Sequence, residues 1–293
     1  MNAEPDWNLY RTFLAVLKQG SLSGAARHLA LTQPTVTRHI DALENATGVD
    51  LFFRTQRGLT PTDMALKLVP HAEALAATAA ALMRVASDRT GEVRGTVRIT
   101  ASEIVSVEHL PRILAKLRRS HPGLTVELVL SNAVDDLLRQ EADIALRMTE
   151  PVHDVLVARR LPSIELGLYA HRDYLARRSI PTSMARLADH DVIGFDHETP
   201  PLRALVRRFP ALDRSSFALR TDSDIAQLAA IRAGCGIGMC QVAVANRDPR
   251  LVRVLPKLVS VELGLWIVMH QDLKTSPRCK TVFDALVDGL SAL

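Results

Sequence analysis

The chain of 293 residues has few of the features that signal disulfide, metal or membrane-spanning structure. It contains 3 cysteines (Cys235, Cys240 and Cys279), an odd set without a C-x-x-C pair, which favours reduced thiols in a cytoplasm. The 10 histidines form no H-E-x-x-H motif and no serine lies in a G-x-S-x-G turn, so we expect no metal, cofactor or catalytic residue.

Long apolar runs are also missing. No stretch of about 18 uninterrupted apolar residues occurs, and the first residues carry Glu4 and Asp6 instead of the basic segment of a secretory signal. We therefore expect a cytoplasmic protein without a membrane partner.

Acidic residues are absent from two neighbouring stretches, although the net charge is only +4. Residues 7–40 lack Asp and Glu but include Arg11, Lys18, Arg27 and Arg38, and residues 51–62 lack them but include Arg54 and Arg57. A surface that faces DNA phosphates has to exclude carboxylates. A solvated basic face would show the same pattern, so composition leaves both interpretations open.

Three short helices are predicted next. Apolar spacing predicts a helix at residues 7–18 that ends at Gly20, and Ser21 and Ser23 are both N-cap types before a helix at residues 24–30. Thr32 caps a third helix, whose first turn tolerates Pro34. Its buried stripe comprises Val36, Ile40 and Leu43, while its other faces carry Gln33, Thr35, Thr37, Arg38 and Asp41. Gln and Thr side chains can read base edges in a major groove, and Arg can reach a phosphate or guanine.

A two-stranded wing is predicted after this helix. An apolar strand at residues 49–53, a turn at residues 54–58 and a return strand at residues 59–61 place Arg54 and Arg57 at the tip. Beside a recognition helix Arg57 is expected to contact the DNA backbone or minor groove. A solvated turn is the alternative for Arg57.

A long helix is predicted from Pro61, capped by Thr60, to residue 87. Leucines and alanines recur in it every seven residues, at Leu68, Leu75 and Leu82 and at Ala65, Ala72, Ala79 and Ala86. This seam favours pairing with a second helix, and packing against its own chain is the alternative. Pro70 is expected to kink the helix, and residues 88–95 read as a hinge.

The remaining sequence alternates strands and helices, which indicates an α/β fold with largely parallel sheets. Strands are predicted near residues 96–101, 124–130, 143–148, 165–170, 192–195, 217–221, 237–240 and 263–269, and helices near residues 107–120, 134–139, 201–209, 223–233 and 278–290. Crossings near Leu161 and Leu263 predict two lobes. The glycine-rich residues 234–238 follow a helix and precede a strand, the reverse of a dinucleotide-binding loop, and are interpreted as a turn.

Ordered motifs in the first sixty residues closely resemble the LysR-type transcriptional regulators. They comprise residues 13–16, 20–26, 32–40, 43–44, 48–49 and 51–54, together with Leu29. The resemblance is looser beyond them, in residues 98–102, 110–111, 121–122, 142–145 and 233–238. Asp63 departs from the family, which often has glycine there, but an acid suits the first turn of a helix.

The resemblance implies a winged helix-turn-helix in residues 1–64, a dimerisation helix and hinge in residues 65–92, and a periplasmic-binding-protein-like effector domain in residues 93–293. Lobe I would comprise residues 93–161 and 266–293, and lobe II residues 162–265. A homodimer or homotetramer would read an interrupted palindrome in double-stranded DNA, respond to a small-molecule effector and contact RNA polymerase. The DNA-binding residues carried over or inferred are Ser21, Ser23, Thr32, Gln33, Pro34, Thr35, Thr37, Arg38, Arg54 and Arg57.

Effector-binding residues are expected where strands end and helices begin. Ser102, Ser131 and Asn132, Met148 and Thr149, and Thr221 and Asp222 occupy such positions, and Ser102, Ser131, Thr149 and Thr221 are expected to converge on one pocket. Glu103 would bind an amine or hydroxyl or point away. Arg147 would bind a ligand carboxylate or form a salt bridge with Glu103 or Asp222.

Two other functions remain open from the residues alone. One is an enzyme fused to a DNA-binding domain, which a nucleophile–base pair or metal cluster in the cleft would favour. The other is a ligand-free repressor whose cleft is closed by its own side chains.

Overall fold

The structure, a computed structural model, describes residues 5–55, 58–86, 93–131, 142–151 and 156–291. The chain divides into two compact units, the first of which ends at Ala86. The helix predicted at residues 134–139, part of the hinge and the tip of the wing lie outside the described residues.

Three helices form the core of the first unit: α1 (Trp7–Gln19), α2 (Leu22–Leu29) and α3 (Gln33–Thr47). Ser21 and Thr32 accept hydrogen bonds from first-turn N–H groups of α2 and α3, and left-handed Gly20 ends α1. These ends confirm the predictions for α1 and α3. Helix α2 starts earlier than predicted because Ser21, and not Ser23, is its cap.

The buried faces of these helices meet around a small apolar core. Phe13 of α1 is buried there with the predicted stripe of α3, and Ala25 and Ala26 of α2 lie against them. Their small side chains allow the helices to approach closely, so the sequence pattern and the packing agree.

A hairpin, β1 (Phe52–Thr55) and β2 (Gly58–Pro61), follows and pairs antiparallel. The Leu51 N–H donates to Glu44 Oε1 of α3 at 2.7 Å, and the Leu59 N–H donates to the Gly20 carbonyl at 3.1 Å. Gly58 has φ +121°, and a Cβ there would lie 2.8 Å from the Gly20 carbonyl oxygen. This close approach requires glycine, and it fixes the hairpin against the end of α1.

Helix α4 (Asp63–Ala86) begins two residues later than predicted. Thr62 is its cap, since Thr62 Oγ1 accepts from the Ala65 N–H at 3.0 Å and donates to the Asp50 carbonyl at 2.9 Å. Pro61, expected in its first turn, pairs with Phe52 in the hairpin instead.

The predicted seam of α4 divides between two environments. Ala65 and Ala72 are buried in the core of the first unit, whereas Leu75 and Leu82 are 47% and 65% exposed. The alanines at the start of the seam therefore pack against their own chain, and the later leucines lie on the surface.

The described strands of the second unit form one sheet of nine strands. At one side β3 (Gly95–Ala101) lies between β4 (Leu124–Leu130) and β5 (Ile144–Arg147), parallel to both. At the other side β7 (Val192–Gly194) lies between β8 (Phe217–Arg220) and β9 (Ile237–Gln241), again parallel to both.

Two long strands join these flanks and run antiparallel: β6 (Leu156–His171) and β11 (Val261–His270), with β10 (Leu251–Val254) paired to β6. The prediction of largely parallel sheets is correct for the flanks and wrong for this centre, where β11 pairs antiparallel with β5 and β6 with β9. The register of β6 and β11 shifts between Leu263 and Leu265, close to the predicted crossing at Leu263, and the bounds of the two lobes stay a prediction.

Helices cover both flanks. A π-helical turn, Val105–His109, precedes α5 (Leu110–Ser120), which packs with α10 (Pro277–Leu290) on the first lobe. The second lobe carries α7 (Pro200–Arg208) and α8 (Asp224–Arg232), close to their predicted bounds. The short helices α6 (Arg172–Arg178) and α9 (Val242–Ala245) and strand β10 were not predicted.

Candidate functional site

The predicted recognition residues lie at the start of α3. Gln33 and Arg38 are exposed, and neither side chain has a hydrogen-bond partner within the part of the chain that the structure describes. The Thr35 side chain already has a hydrogen-bond partner, because its hydroxyl lies 2.8 Å from the Thr32 hydroxyl. Thr37 Oγ1 donates to the Gln33 carbonyl at 3.1 Å. The amide of Gln33 and the guanidinium of Arg38 are therefore the groups available to a partner.

The other residues predicted to contact DNA differ in how far the structure describes them. Ser21 Oγ accepts from the Gly24 N–H at 3.1 Å, whereas Ser23 and Pro34 are exposed. The backbone of Arg54 pairs with Leu59 in the hairpin. The Arg54 side chain and the whole of Arg57 lie outside the described residues, so the wing contacts stay predictions.

A cavity of about 480 Å³ lies in the second unit where its two lobes meet. Its walls come from the first lobe, from α7 and α8, from the end of β9 and from the central strands. The lining residues are Ser102, Ile104, Met148, Leu166, Phe195, Thr199, Leu202, Ala204, Leu205, Arg208, Asp224, Gln227, Leu228, Met239, Cys240, Gln241, Val261 and Leu263. Most are apolar, and their own side chains leave the cleft open.

The expected convergence of four strand-end residues is not observed, because Ser102 alone of the four lines this cavity. Thr149 is exposed. The Ser131 N–H donates to the Ala101 carbonyl at 2.9 Å, and Thr221 Oγ1 accepts from the Ser223 N–H at 3.3 Å. Asn132 lies outside the described residues. Strands β4 and β8, which precede Ser131 and Thr221, lie at opposite ends of the sheet and run in opposite directions, so their ends do not share one edge.

Asp222 and Arg147 form hydrogen bonds with residues that do not line the cavity. The Asp222 carboxylate accepts from the backbone N–H groups of Asp196 and His197 at 3.0 and 2.9 Å, and it lies 2.6 Å from His197 Nδ1. The N–H of His197 and its ring lower the pKa of Asp222. Arg147 is buried and donates to Thr100 Oγ1 at 3.2 Å and to the Leu146 carbonyl at 3.0 Å.

Glu103 bonds across the lobes. Its Oε2 accepts from the Ser223 hydroxyl at 2.8 Å and from the Ile225 N–H at 3.1 Å. Ser223 is the N-cap of α8, so a carboxylate of the first lobe lies at the N-terminus of a second-lobe helix. Sequence reasoning left this residue open because its partners are more than a hundred positions away.

The π-helical turn adds further bonds to the second lobe. Arg232 pairs with Glu108 at 2.7 Å, and His109 Nε2 lies 2.9 Å from Gln241 Oε1. Arg247 donates to the Glu108 carbonyl at 2.6 Å and lies 3.1 Å from His109 Nδ1. Desolvation lowers the pKa of His109, which is 4% exposed, and the Arg232 bond lowers the pKa of Glu108.

The lobe contact is expected to weaken at mildly acid pH because of His109. The folded state binds the His109 proton less readily than the unfolded chain, whose pKa is about 6.5. Stability from neutral His109 is therefore complete above about pH 6.5 and declines as pH falls below it. The stabilisation that ionised Glu108 contributes is complete in this pH range. Because its pKa is lowered, that stabilisation is lost only below about pH 4.5.

The measurement is the thermal unfolding midpoint at pH 7.5 and 5.5 for the parent and His109→Gln. The glutamine keeps a neutral hydrogen-bonding group, so the midpoint should fall less on acidification than in the parent. All other histidines are common to both proteins and cancel in the comparison. Equal falls would show that His109 does not resist protonation.

Neither metal nor membrane features are found in the described ranges. They contain no group of three or more His, Cys, Asp or Glu placed to hold a metal ion, and no helix both long and apolar enough to cross a membrane. Burial raises the pKa of Cys240, in the cavity wall, to about 12, so the thiol stays protonated at neutral pH.

These features define a helix-turn-helix protein with a two-lobed α/β binding domain. Two family models match it: the bacterial regulatory helix-turn-helix protein of the lysR family over residues 7–66, and the LysR substrate binding domain over residues 90–291. The chain belongs to the LysR family, as its sequence motifs predicted.

Individual relatives are distant. PgrR of Escherichia coli K12, an HTH-type transcriptional regulator, is 27% identical over 62% of this chain and 61% of its own length. The chain thus matches less than two thirds of PgrR. LtrA of Klebsiella pneumoniae is 26% identical over 100% of this chain and 96% of its own. The structure of CrgA from Neisseria meningitidis, at 23% identity, superposes with a TM-score of 0.58 over 97% of this chain and 98% of CrgA, which supports the fold.

Proposed function

We propose that the protein is a transcriptional regulator that binds specific double-stranded DNA through α3 and the wing, as a homo-oligomer, under the control of a small molecule in the cavity. One observation carries the proposal: Gln33 and Arg38 of α3 are exposed and have no hydrogen-bond partner among the described residues, in a chain that also holds an open apolar cavity. Its place is then the cytoplasm, where bacterial DNA is, and contact with RNA polymerase is part of the proposal.

The geometry of the first unit supports DNA binding. Thr32 caps the first turn of α3, and the hairpin is fixed to the end of α1 through Gly20 and to the C-terminal half of α3 through Glu44. Helix-turn-helix proteins place the N-terminal residues of the second helix of the motif against base edges. Gln33 would read a base, and Arg38 a phosphate or guanine.

Binding is tested by recovering genomic fragments with the purified protein and titrating the recovered fragments in gel shifts at two salt concentrations. A regulator should enrich a few shared sites that carry two half-sites. Uniform recovery of the genome, or none, would contradict sequence-specific binding.

Gln33→Ala should weaken binding to a recovered site by about 1–3 kcal/mol while leaving nonspecific binding nearly unchanged, because one base contact is lost. The control is Asn45→Ala, which removes an exposed amide from the opposite end of the same helix. Equal specific affinity of the two variants would remove Gln33 from the recognition surface.

The cavity supports effector binding. Concave and mostly apolar clefts with few polar groups are typical ligand sites, and this one is lined from both lobes, so a bound molecule would bias their arrangement. Ser102 Oγ is buried and has no hydrogen-bond partner in the described part of the chain, which leaves it available to a ligand.

A further inference from the structure

The N-terminus of α8 lies at the edge of the cavity. Asp224, the first residue of α8, lines the cavity together with Gln227 and Leu228 from the next turn. Free N–H groups and the helix dipole make such a terminus attractive to anions. A ligand carboxylate entering the cleft would be drawn to this point.

A carboxylate of the protein itself, that of Glu103, already lies at the N-terminus of α8. Glu103 Oε2 accepts from the Ser223 hydroxyl and the Ile225 N–H, and the neighbours of Glu103 in sequence, Ser102 and Ile104, line the cavity. A second anion at the same terminus would meet like-charge repulsion and lose the N–H groups that Glu103 uses.

The rest of the lining offers no excess of positive charge. Arg208 and Asp224 are its charged members and are opposite in sign. The Arg208 side chain is at the exposed end of α7, with its guanidinium carbon 5.0 Å from the Phe209 ring centre. The deeper wall is apolar or neutral, and it includes Met239 and the protonated Cys240 thiol.

We propose that the cavity takes an uncharged, largely apolar molecule with one hydrogen-bonding group, and that Glu103 is the residue that selects it against carboxylates. The unpartnered Ser102 Oγ is the protein group that bonds this ligand's hydroxyl, carbonyl or amide. The inference rests on the proposed function of the cavity as the effector site.

Calorimetric titration of the full-length protein with two matched probes tests the selection. The probes are 2-naphthalenemethanol and 2-naphthoate, which share one ring system and differ in charge. The parent should bind the alcohol at least about tenfold more tightly, a difference of about 1.4 kcal/mol. Glu103→Ala should bind naphthoate at least about tenfold more tightly than the parent does, with little change for the alcohol.

Two further variants complete the design. Glu103→Gln removes the charge but keeps an oxygen that can accept the α8 bonds, so it should fold as the parent does and gain part of the naphthoate affinity. Glu262→Ala removes an exposed carboxylate from β11 and should match the parent for both probes.

Tighter binding of naphthoate by the parent, or an unchanged probe preference in both Glu103 variants, would overturn the assignment. Failure of both probes to bind parent and variants would also overturn it. Gel shifts of the same preparations separate this result from the proposed function: a protein that binds its DNA sites but prefers naphthoate is still a regulator, with a different ligand class.

Discussion

Leu82→Glu is expected to sediment as a single chain at concentrations where the parent is associated. Leu75 and Leu82 are 47% and 65% exposed on one side of α4, and Met83 beside them is 65% exposed. Burying one such side chain contributes about 1.5–3 kcal/mol. A two-fold symmetric pair of helices uses each position twice, so the variant should lose about 3–6 kcal/mol of association free energy and weaken the dimer about a hundredfold or more.

Ala80→Glu is the matched control. It introduces the same charge two residues away, and at about 100° per residue this places it on nearly the opposite side of α4 from Leu82. Ala80 is exposed, so the control should keep the parent's mass. Sedimentation equilibrium over a dilution series measures both. A Leu82→Glu protein with the parent's association constant would show that this side of α4 is not the interface.

The division of the α4 seam explains why the sequence left two interpretations of it. Heptad spacing identifies an apolar stripe but not what covers each part of it. Ala72 is buried by the helices of its own unit, while Leu82 lies beyond their reach, where α4 extends past the core. Packing against its own chain is thus correct for the first part of the helix, and pairing of the later part with a second helix stays a prediction.

Helix ends in the first unit could be predicted because capping is local chemistry. Thr32 and Gly20 act through bonds within four residues of themselves. The start of α4 could not be chosen the same way, since Thr60 and Thr62 are equally good caps. Pairing of Pro61 with Phe52 across the hairpin decides it, and that pairing is not written in the residues next to it.

Strand direction in the second unit also depends on pairing between distant residues, which the local sequence does not reveal. Apolar runs located most strands, but buried parallel and antiparallel strands have the same composition. Strand β6 was predicted only in its second half because Arg159 and Arg160 interrupt the apolar pattern in its first. Those arginines pair in register with Ile267 and Trp266 of β11, a partner about a hundred residues away.

The sequence predicted a ligand cavity between the two lobes, but not most of the residues that line it. The strand-end rule found Ser102 and Met148 and gave no sign of Leu202, Gln227 or Cys240, which come from helices and from a strand of the second lobe. The apolar face of α7 was the sequence feature that could have indicated the part of the lining that this helix contributes. Nothing local to Glu103 indicated that it would bond to α8.

Phe13→Ala is expected to lower the free energy of unfolding of the first unit by about 3–5 kcal/mol. Phe13 is 1% exposed, and its ring centre lies 5.8 Å from that of Phe52, so it joins α1 to the hairpin as well as to α3. Removing the ring leaves a cavity at the centre of this core. A domain has a total stability of only about 5–15 kcal/mol, so much of this unit's stability would be lost.

Phe53→Ala is the matched control, because Phe53 is the next residue after Phe52 but is 58% exposed. Hydrogen exchange of the full-length proteins measures both variants, unit by unit. In Phe13→Ala, peptides from α1 and α3 should lose protection, and peptides from β3 and α10 should keep it, since the second unit has a separate core. Specific DNA binding should fall with the protection of α3. Equal loss of protection in the two variants would mean that burial of Phe13 is not what holds the three helices and the hairpin together.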